Sequence, residues 1–215
     1  IAIHNGVHDS NAALHAYRRQ DLGPLTVVST GTWVIVLNPD CPLDVLDRER
    51  DMLVNVDVDG GPVPTIRFMG GREFAVISDG WQGAIPHGSI QQAIDAGIMA
   101  LPSFAPGGPM PDSPGRLVGR TPDAGERAAA ALLYVALMVD LCLDLIHSQN
   151  TVIVDGGLNV GGLLAGLIAQ LRPGQAFLQG ASLEGSATGA AALAFELWQR
   201  ARDLTGHREC PHEPA

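Results

Sequence analysis

The sequence predicts an α/β fold: three antiparallel strands followed by alternating helices and parallel strands. Two patterns carry this. The first third holds short β-rich runs separated by glycine turns, as antiparallel hairpins require. The second half alternates apolar helical stretches with strand-like runs, and parallel neighbours need crossovers of that kind. At 215 residues and 46% hydrophobic, the chain suits one large domain or two small ones with a sizeable core.

The elements follow in order. Residues 9–20 read as a short helix with Ala12, Ala13, Leu14 and Tyr17 on its apolar side. Residues 25–29 and 32–37 are β-rich, with Gly31 between them. Residues 53–58 alternate apolar and polar, as a half-buried strand does, and 64–69 form a further short strand. The Asp-Gly-Gly-Pro stretch at 59–62 turns the chain between them, which completes an antiparallel meander. Gly70–Gly71 opens a helix near Arg72, and residues 89–100 form another. Residues 102–116 are too rich in proline and glycine to be anything but loop. The longest helix spans 122–149, with Thr121 as its cap and Pro122 in its first turn. A buried strand at 151–155, a helix at 159–171, a strand at 175–179 and a helix at 186–202 complete the chain. This succession is the plan of the ribonuclease-H-like fold, shared by actin, Hsp70 and sugar kinases, and a fold alone does not give a function.

Charge narrows the partners. The net charge of −10 argues against nucleic acid and anionic membrane surfaces, which need basic patches. No apolar run is expected to reach bilayer-spanning length, and the opening residues lack a basic start or cleavage signal. Because the chain begins at Ile1, it is expected to start inside a longer protein. All 13 basic residues are arginine. A P-loop lysine and a Schiff-base lysine are therefore excluded. ATP is not, since backbone N–H groups at tight glycine turns hold phosphates. Cys41, Cys142 and Cys210 have no metal-like spacing, and their odd number favours a reduced, cytoplasmic setting. His207, Cys210 and His212 fall short of the four ligands of a closed zinc site, so no protein-bound metal is expected. Asp44, Asp47, Glu49 and Asp51 read as a solvated loop.

Four segments carry candidate chemistry. Asp9, within Val7-His8-Asp9-Ser10-Asn11, stands at a helix start. It reads either as a cap contributing about 1 kcal/mol or as a carboxylate placed to accept a proton from an alcohol. Ser29-Thr30-Gly31-Thr32-Trp33 forms a tight hairpin. Gly31 serves the turn, or the hairpin offers the Gly31 N–H and the Thr32 hydroxyl to a phosphate. Asp155-Gly156-Gly157-Leu158-Asn159-Val160-Gly161-Gly162 joins a buried strand to a helix. So many glycines are costly to order, which favours close approach of a ligand, although the spacing is not that of a dinucleotide fingerprint. Phe68-Met69-Gly70-Gly71 either connects a strand to a helix or lines a cleft.

Taken together, the segments at 6–14, 29–33, 68–71, 155–157 and 184–191 resemble, in order, the motifs of the FGGY carbohydrate kinase family. The resemblance implies the ATP-binding, C-terminal half of a sugar kinase over residues 1–203, followed by a polar tail at 204–215. It implies Asp9 as the catalytic base, and His8 with Asp9 facing the substrate. Gly31, Thr32, Gly71, Gly156, Gly157 and Gly161 would contact the nucleotide. Gly161 falls where the family often places Asn, with Asn159 two positions earlier, and Arg120 replaces a usual aliphatic residue. ATP and Mg²⁺ are the implied cofactors, and a sugar and the N-terminal domain of the same kinase are the implied partners. His8-Asp9 and the Ser-x-Gly-Thr-Trp hairpin are similar to the L-fuculokinase and rhamnulokinase branch, which acts on 6-deoxy-ketoses; ketopentose kinases share most of these motifs. The bulky apolar face of the longest helix suits a homodimer interface as well as an interior. The alternative is a non-catalytic ATP-binding regulatory module of the actin and Hsp70 kind, which keeps the glycine turns and has no use for Asp9.

Overall fold

The computed structural model describes residues 7–20, 22–180 and 185–205. The tail at 204–215 and the candidate motif position Glu184 therefore lie wholly or largely outside the described residues. Six strands form the main sheet: β1 (Leu25–Thr30), β2 (Val34–Leu37), β3 (Met52–Val56), β4 (Pro62–Phe68), β7 (Thr151–Gly156) and β8 (Phe177–Gln179). Their spatial order is β3-β4-β2-β1-β7-β8. The pairs β1–β2, β2–β4 and β3–β4 are antiparallel, whereas β1–β7 and β7–β8 are parallel. The expected plan holds with one change. β3 lies at the sheet edge, and β4 takes the place beside β2 that a consecutive meander gives to β3.

Alternation along the strands builds two cores. Val28, Val34, Val36, Ile66, Phe68, Val152 and Val154 face one side. There they meet Leu132, Val135, Val139 and Leu143 of α4 (Ala124–Leu145) and Leu164 and Ile168 of α5 (Leu163–Leu171). Leu25, Val27, Leu37, Val63 and Ile153 face the other side, against Ala13, Leu14 and Tyr17 of α1 (Asp9–Arg18). Each such fully buried aliphatic side chain contributes about 1.5–3 kcal/mol. The last helix, α6 (Gly185–Thr205), lies along α1, and Gly189 permits the approach: a Cβ there would collide with the Ala12 carbonyl.

Two expectations about α4 are corrected. The cap is Asp123, not Thr121. Asp123 Oδ1 accepts the Glu126 N–H at 2.8 Å, and Glu126 Oε2 accepts the Asp123 N–H at 3.0 Å, so a reciprocal capping box sets the start. The helix is also long and apolar enough to cross a membrane, where no run of that length was expected. Most of its apolar stretch is buried inside the fold, which marks it as a core helix.

The helix expected at 89–100 is shorter. α3 (Ser89–Asp95) stops before Gly97, which takes φ +64°, and β5 (Met99–Leu101) pairs with β6 (Arg116–Val118) in a small second sheet. The proline-rich loop between these strands is tied to α2 (Gly70–Ile77). Buried Glu73 accepts from Ser103 Oγ, the Phe104 and Ala105 N–H groups, and the Tyr134 hydroxyl at 2.7–3.2 Å.

Candidate active site

A cleft of roughly 420 Å³ opens where β1 and β7 end side by side. His8 and Asp9 line it from the start of α1, Ser29 to Trp33 from the β1–β2 hairpin, and Asp155 to Gly157 from the turn after β7. Ile35, Arg67 and Ser186 complete the lining. The parallel register sets Thr30 opposite Gly156, so the two glycine turns leave adjacent strands at the same level.

The β7 turn is locked to the hairpin strand. Thr30 O accepts the Gly157 N–H at 2.9 Å; Thr30 Oγ1 donates to Asp155 O at 2.7 Å and accepts the Leu158 N–H at 3.2 Å. Gly156 has φ +96°, and a Cβ on it would run into the Thr30 carbonyl, so both conformation and space require glycine. Asp155 is 6% exposed; its Oδ1 accepts the Gly156 N–H at 2.7 Å and its Oδ2 accepts the Tyr17 hydroxyl at 2.8 Å.

The hairpin presents Thr32 rather than the Gly31 N–H. The Gly31 N–H, expected to face a phosphate, donates instead to Trp33 O at 2.9 Å. Thr32 is exposed and makes no hydrogen bond among the described residues. Gly71 does not line the cleft. It stands behind the hairpin in the first turn of α2, where a Cβ would collide with the Gly31 carbonyl and lie 3.1 Å from Thr32 Cα. Gly161 does not line the cleft either. It takes φ +63° in the short helix at Val160–Gly162, with open space where a side chain would be. Asn159 is buried and spends its amide on the fold, donating to Val154 O at 3.0 Å and accepting the Ala165 N–H at 3.0 Å.

Asp9 is not the helix cap. That position belongs to His8, and Asp9 is the first helical residue, with Oδ1 accepting the Ser10 N–H at 2.7 Å. His8 Nδ1 lies 2.8 Å from both Asp9 Oδ1 and Ser10 Oγ. The Asp9 side chain is 75% exposed, as a proton acceptor for an incoming group must be.

Arg67 was not legible as a site residue. It follows Ile66 in an otherwise uncharged strand, and pairs with Ile35 across the β2–β4 ladder, two residues from Trp33 on the same face. Its guanidinium carbon lies 4.9 Å from the Trp33 ring centroid. A lone charge in an apolar strand was the available signal.

Comparison with known proteins gives the family and the fold. The family model described as carbohydrate kinase FGGY, C-terminal domain, matches residues 22–203, so α1 with His8 and Asp9 precedes the matched span. A carbohydrate kinase from Novosphingobium aromaticivorans is 37% identical, with a TM-score of 0.74 over 86% of this chain and 43% of its own. The xylulose kinase from Rhodospirillum rubrum is 19% identical, with a TM-score of 0.58 over 88% of this chain and 41% of its own. A ligand-bound xylulose kinase from Lactobacillus acidophilus is 13% identical, with a TM-score of 0.61 over 94% of this chain and 42% of its own. These last two show the fold. The chain thus spans less than half the length of the kinases it resembles. No curated protein matches it. The order of strands, the two facing glycine turns and the family match lead to one conclusion: this chain belongs to the FGGY carbohydrate kinase family, as its C-terminal domain.

Proposed function

We propose that the protein of which this chain is part transfers the γ-phosphoryl group of ATP to a sugar hydroxyl. One observation carries the reading: in a domain of this family, the exposed carboxylate of Asp9, the unengaged Thr32 and the Gly156–Gly157 turn converge on one cleft. The sugar hydroxyl donates a hydrogen bond to Asp9. As its oxygen bonds to phosphorus and the bond to the ADP oxygen breaks, the proton passes to the Asp9 carboxylate. Orientation matters as much as basicity here, because a carboxylate is a weak base for an alcohol. Thr32 donates to the phosphoryl oxygens. Gly71 supports the hairpin from behind, and the Gly156–Gly157 turn admits the adenosine without side chains in the way.

Mg²⁺ fits this cleft as a companion of ATP. Asp9 and Asp155 line the cleft, so a cation there would draw on phosphate oxygens, water and these carboxylates. When bound, it offsets charge on the phosphates. We propose an N-terminal domain of the same kinase as the partner that supplies most sugar contacts and closes over the cleft. The substrate class we favour is a ketose or 6-deoxy-ketose such as L-fuculose or L-rhamnulose, a choice supported by the His8-Asp9 pair and the Ser29–Trp33 hairpin sequence. A reducing cytoplasmic setting suits Cys41 and Cys142, both free and buried.

The test is coupled ADP release by the full-length protein with MgATP and a panel of L-fuculose, L-rhamnulose, L-ribulose and D-xylulose. Sugar-dependent release that falls by about 10²–10⁴-fold in Asp9→Asn supports the reading. ATP binding without release for any sugar would shift it to a regulatory ATP-binding module.

A further inference from the structure

We propose that Arg67 contacts the phosphoryl group during transfer, as the cation this half of the enzyme supplies to its own lysine-free site. The inference rests on the kinase reading above. Among the described residues lining the cleft, Arg67 is the only arginine or lysine, and the whole chain has no lysine to substitute for it.

The site needs such a charge. Asp9 and Asp155 both line it, and phosphates bring more negative charge. The backbone donors that would answer that charge are largely spent. The Gly31 N–H goes to Trp33 O, the Gly156 N–H to Asp155 Oδ1 and the Gly157 N–H to Thr30 O. Among the described side chains lining the cleft, the hydroxyls of Ser29, Thr32 and Ser186 remain as neutral donors, and the guanidinium of Arg67 is the one permanent cation.

Arg67 is held ready yet not consumed. It stacks over Trp33 at 4.9 Å, which orients a planar guanidinium at little further cost in entropy. Its Nε is 3.5 Å from Asp51 Oδ1, is buried, and makes no hydrogen bond. The other Asp51 oxygen is occupied by the Gly108 N–H at 2.6 Å. A loosely paired arginine whose side chain is 43% exposed at the cleft has the terminal nitrogens of its planar fork available to phosphoryl oxygens.

The experiment measures initial rates of the full-length kinase and its Arg67→Gln, Arg67→Lys and Arg67→Ala variants, with thermal melting of each. Arg67→Gln is expected to lower kcat by about 10³-fold, the scale of a transition-state arginine, with the sugar KM within about twofold of wild type. Added guanidinium chloride is expected to restore Arg67→Ala by at least about tenfold, which a merely structural arginine would not allow. Should Arg67→Gln melt far below wild type, Arg67→Lys decides. It keeps the charge, so a kcat at least about tenfold above that of Arg67→Gln supports the cation, and a kcat no higher than that of Arg67→Gln in a variant that melts like wild type overturns the proposal. So does Arg67→Gln with kcat within about threefold of wild type, or a loss confined to the sugar KM. Absence of sugar-dependent ADP release by wild type would instead sink the kinase reading, and this proposal with it.

Discussion

Tyr17 and Asp155 share a hydrogen bond of 2.8 Å beneath the cleft, donated by the phenol to Oδ2 of the carboxylate. Tyr17 stands two turns along α1 from Asp9, and Asp155 ends on the glycine turn of β7. A single buried carboxylate therefore ties the helix carrying the proposed base to the strand carrying the proposed nucleotide turn. Gly180 keeps the space open, since a Cβ there would lie 2.6 Å from the Tyr17 hydroxyl and 2.9 Å from the Asp155 carboxyl carbon.

Tyr17→Phe removes the donor and leaves a buried carboxylate oxygen short of a partner. The expected loss is about 1–3 kcal/mol of stability, read from the urea midpoint at unchanged slope. A midpoint equal to wild type would mean that Asp155 does not depend on Tyr17.

Gly71→Ala tests the support behind the hairpin. The added methyl collides with the Gly31 carbonyl, which is backbone and cannot rotate away. Displacing the hairpin is expected to raise the ATP KM by about tenfold or more, on the scale of a 1–3 kcal/mol overpacking cost. An unchanged KM would show that the hairpin position does not govern nucleotide binding.

Acid should loosen the start of α4. The hydrogen bonds from the Arg120 guanidinium, with the Asp123 N–H, hold the Glu126 carboxyl below its ordinary value. A lowered carboxylate pKa contributes stability that is present above the unfolded-state pKa of about 4.3 and is lost as pH falls through the lower folded value. Wild type should therefore lose more stability between about pH 5 and pH 3 than Glu126→Gln does, by thermal melting across that range. Parallel profiles would remove Glu126 from the acid response.

The architecture was legible where a local signal existed. Asp-Gly-Gly-Pro at 59–62 announced the β3–β4 hairpin, and the glycine pairs after β4 and β7 marked both turns. The place of β4 beside β2 was hidden, because which strand pairs with which is decided by non-local packing that no window of residues carries. The three-residue strands β5 and β6 were too short to show alternation. Thr121 is a good cap by residue type, but Asp123 and Glu126 together form the reciprocal box that sets the start. Of the site, His8, Asp9, Gly31, Thr32, Gly156 and Gly157 line one cleft. Gly71 and Gly161 looked the same in sequence, yet one buttresses and the other stands apart, because a glycine does not declare which neighbour needs its missing side chain. Arg67 was concealed by its strand, since only pairing with Ile35 brings it to Trp33.

The parallel ladder between β1 and β7 acts as a gauge block. It pairs Leu25 with Thr151 and runs without interruption to Thr30 and Gly156, so the gap between the two turns equals one strand spacing, about 4.8 Å. Insertions in outlying loops, or drift in the surface helices, leave that gap untouched. A slip of one residue between these strands would not widen it gradually. It would swap the faces of every side chain on β1, so the gauge reads true or the domain does not assemble.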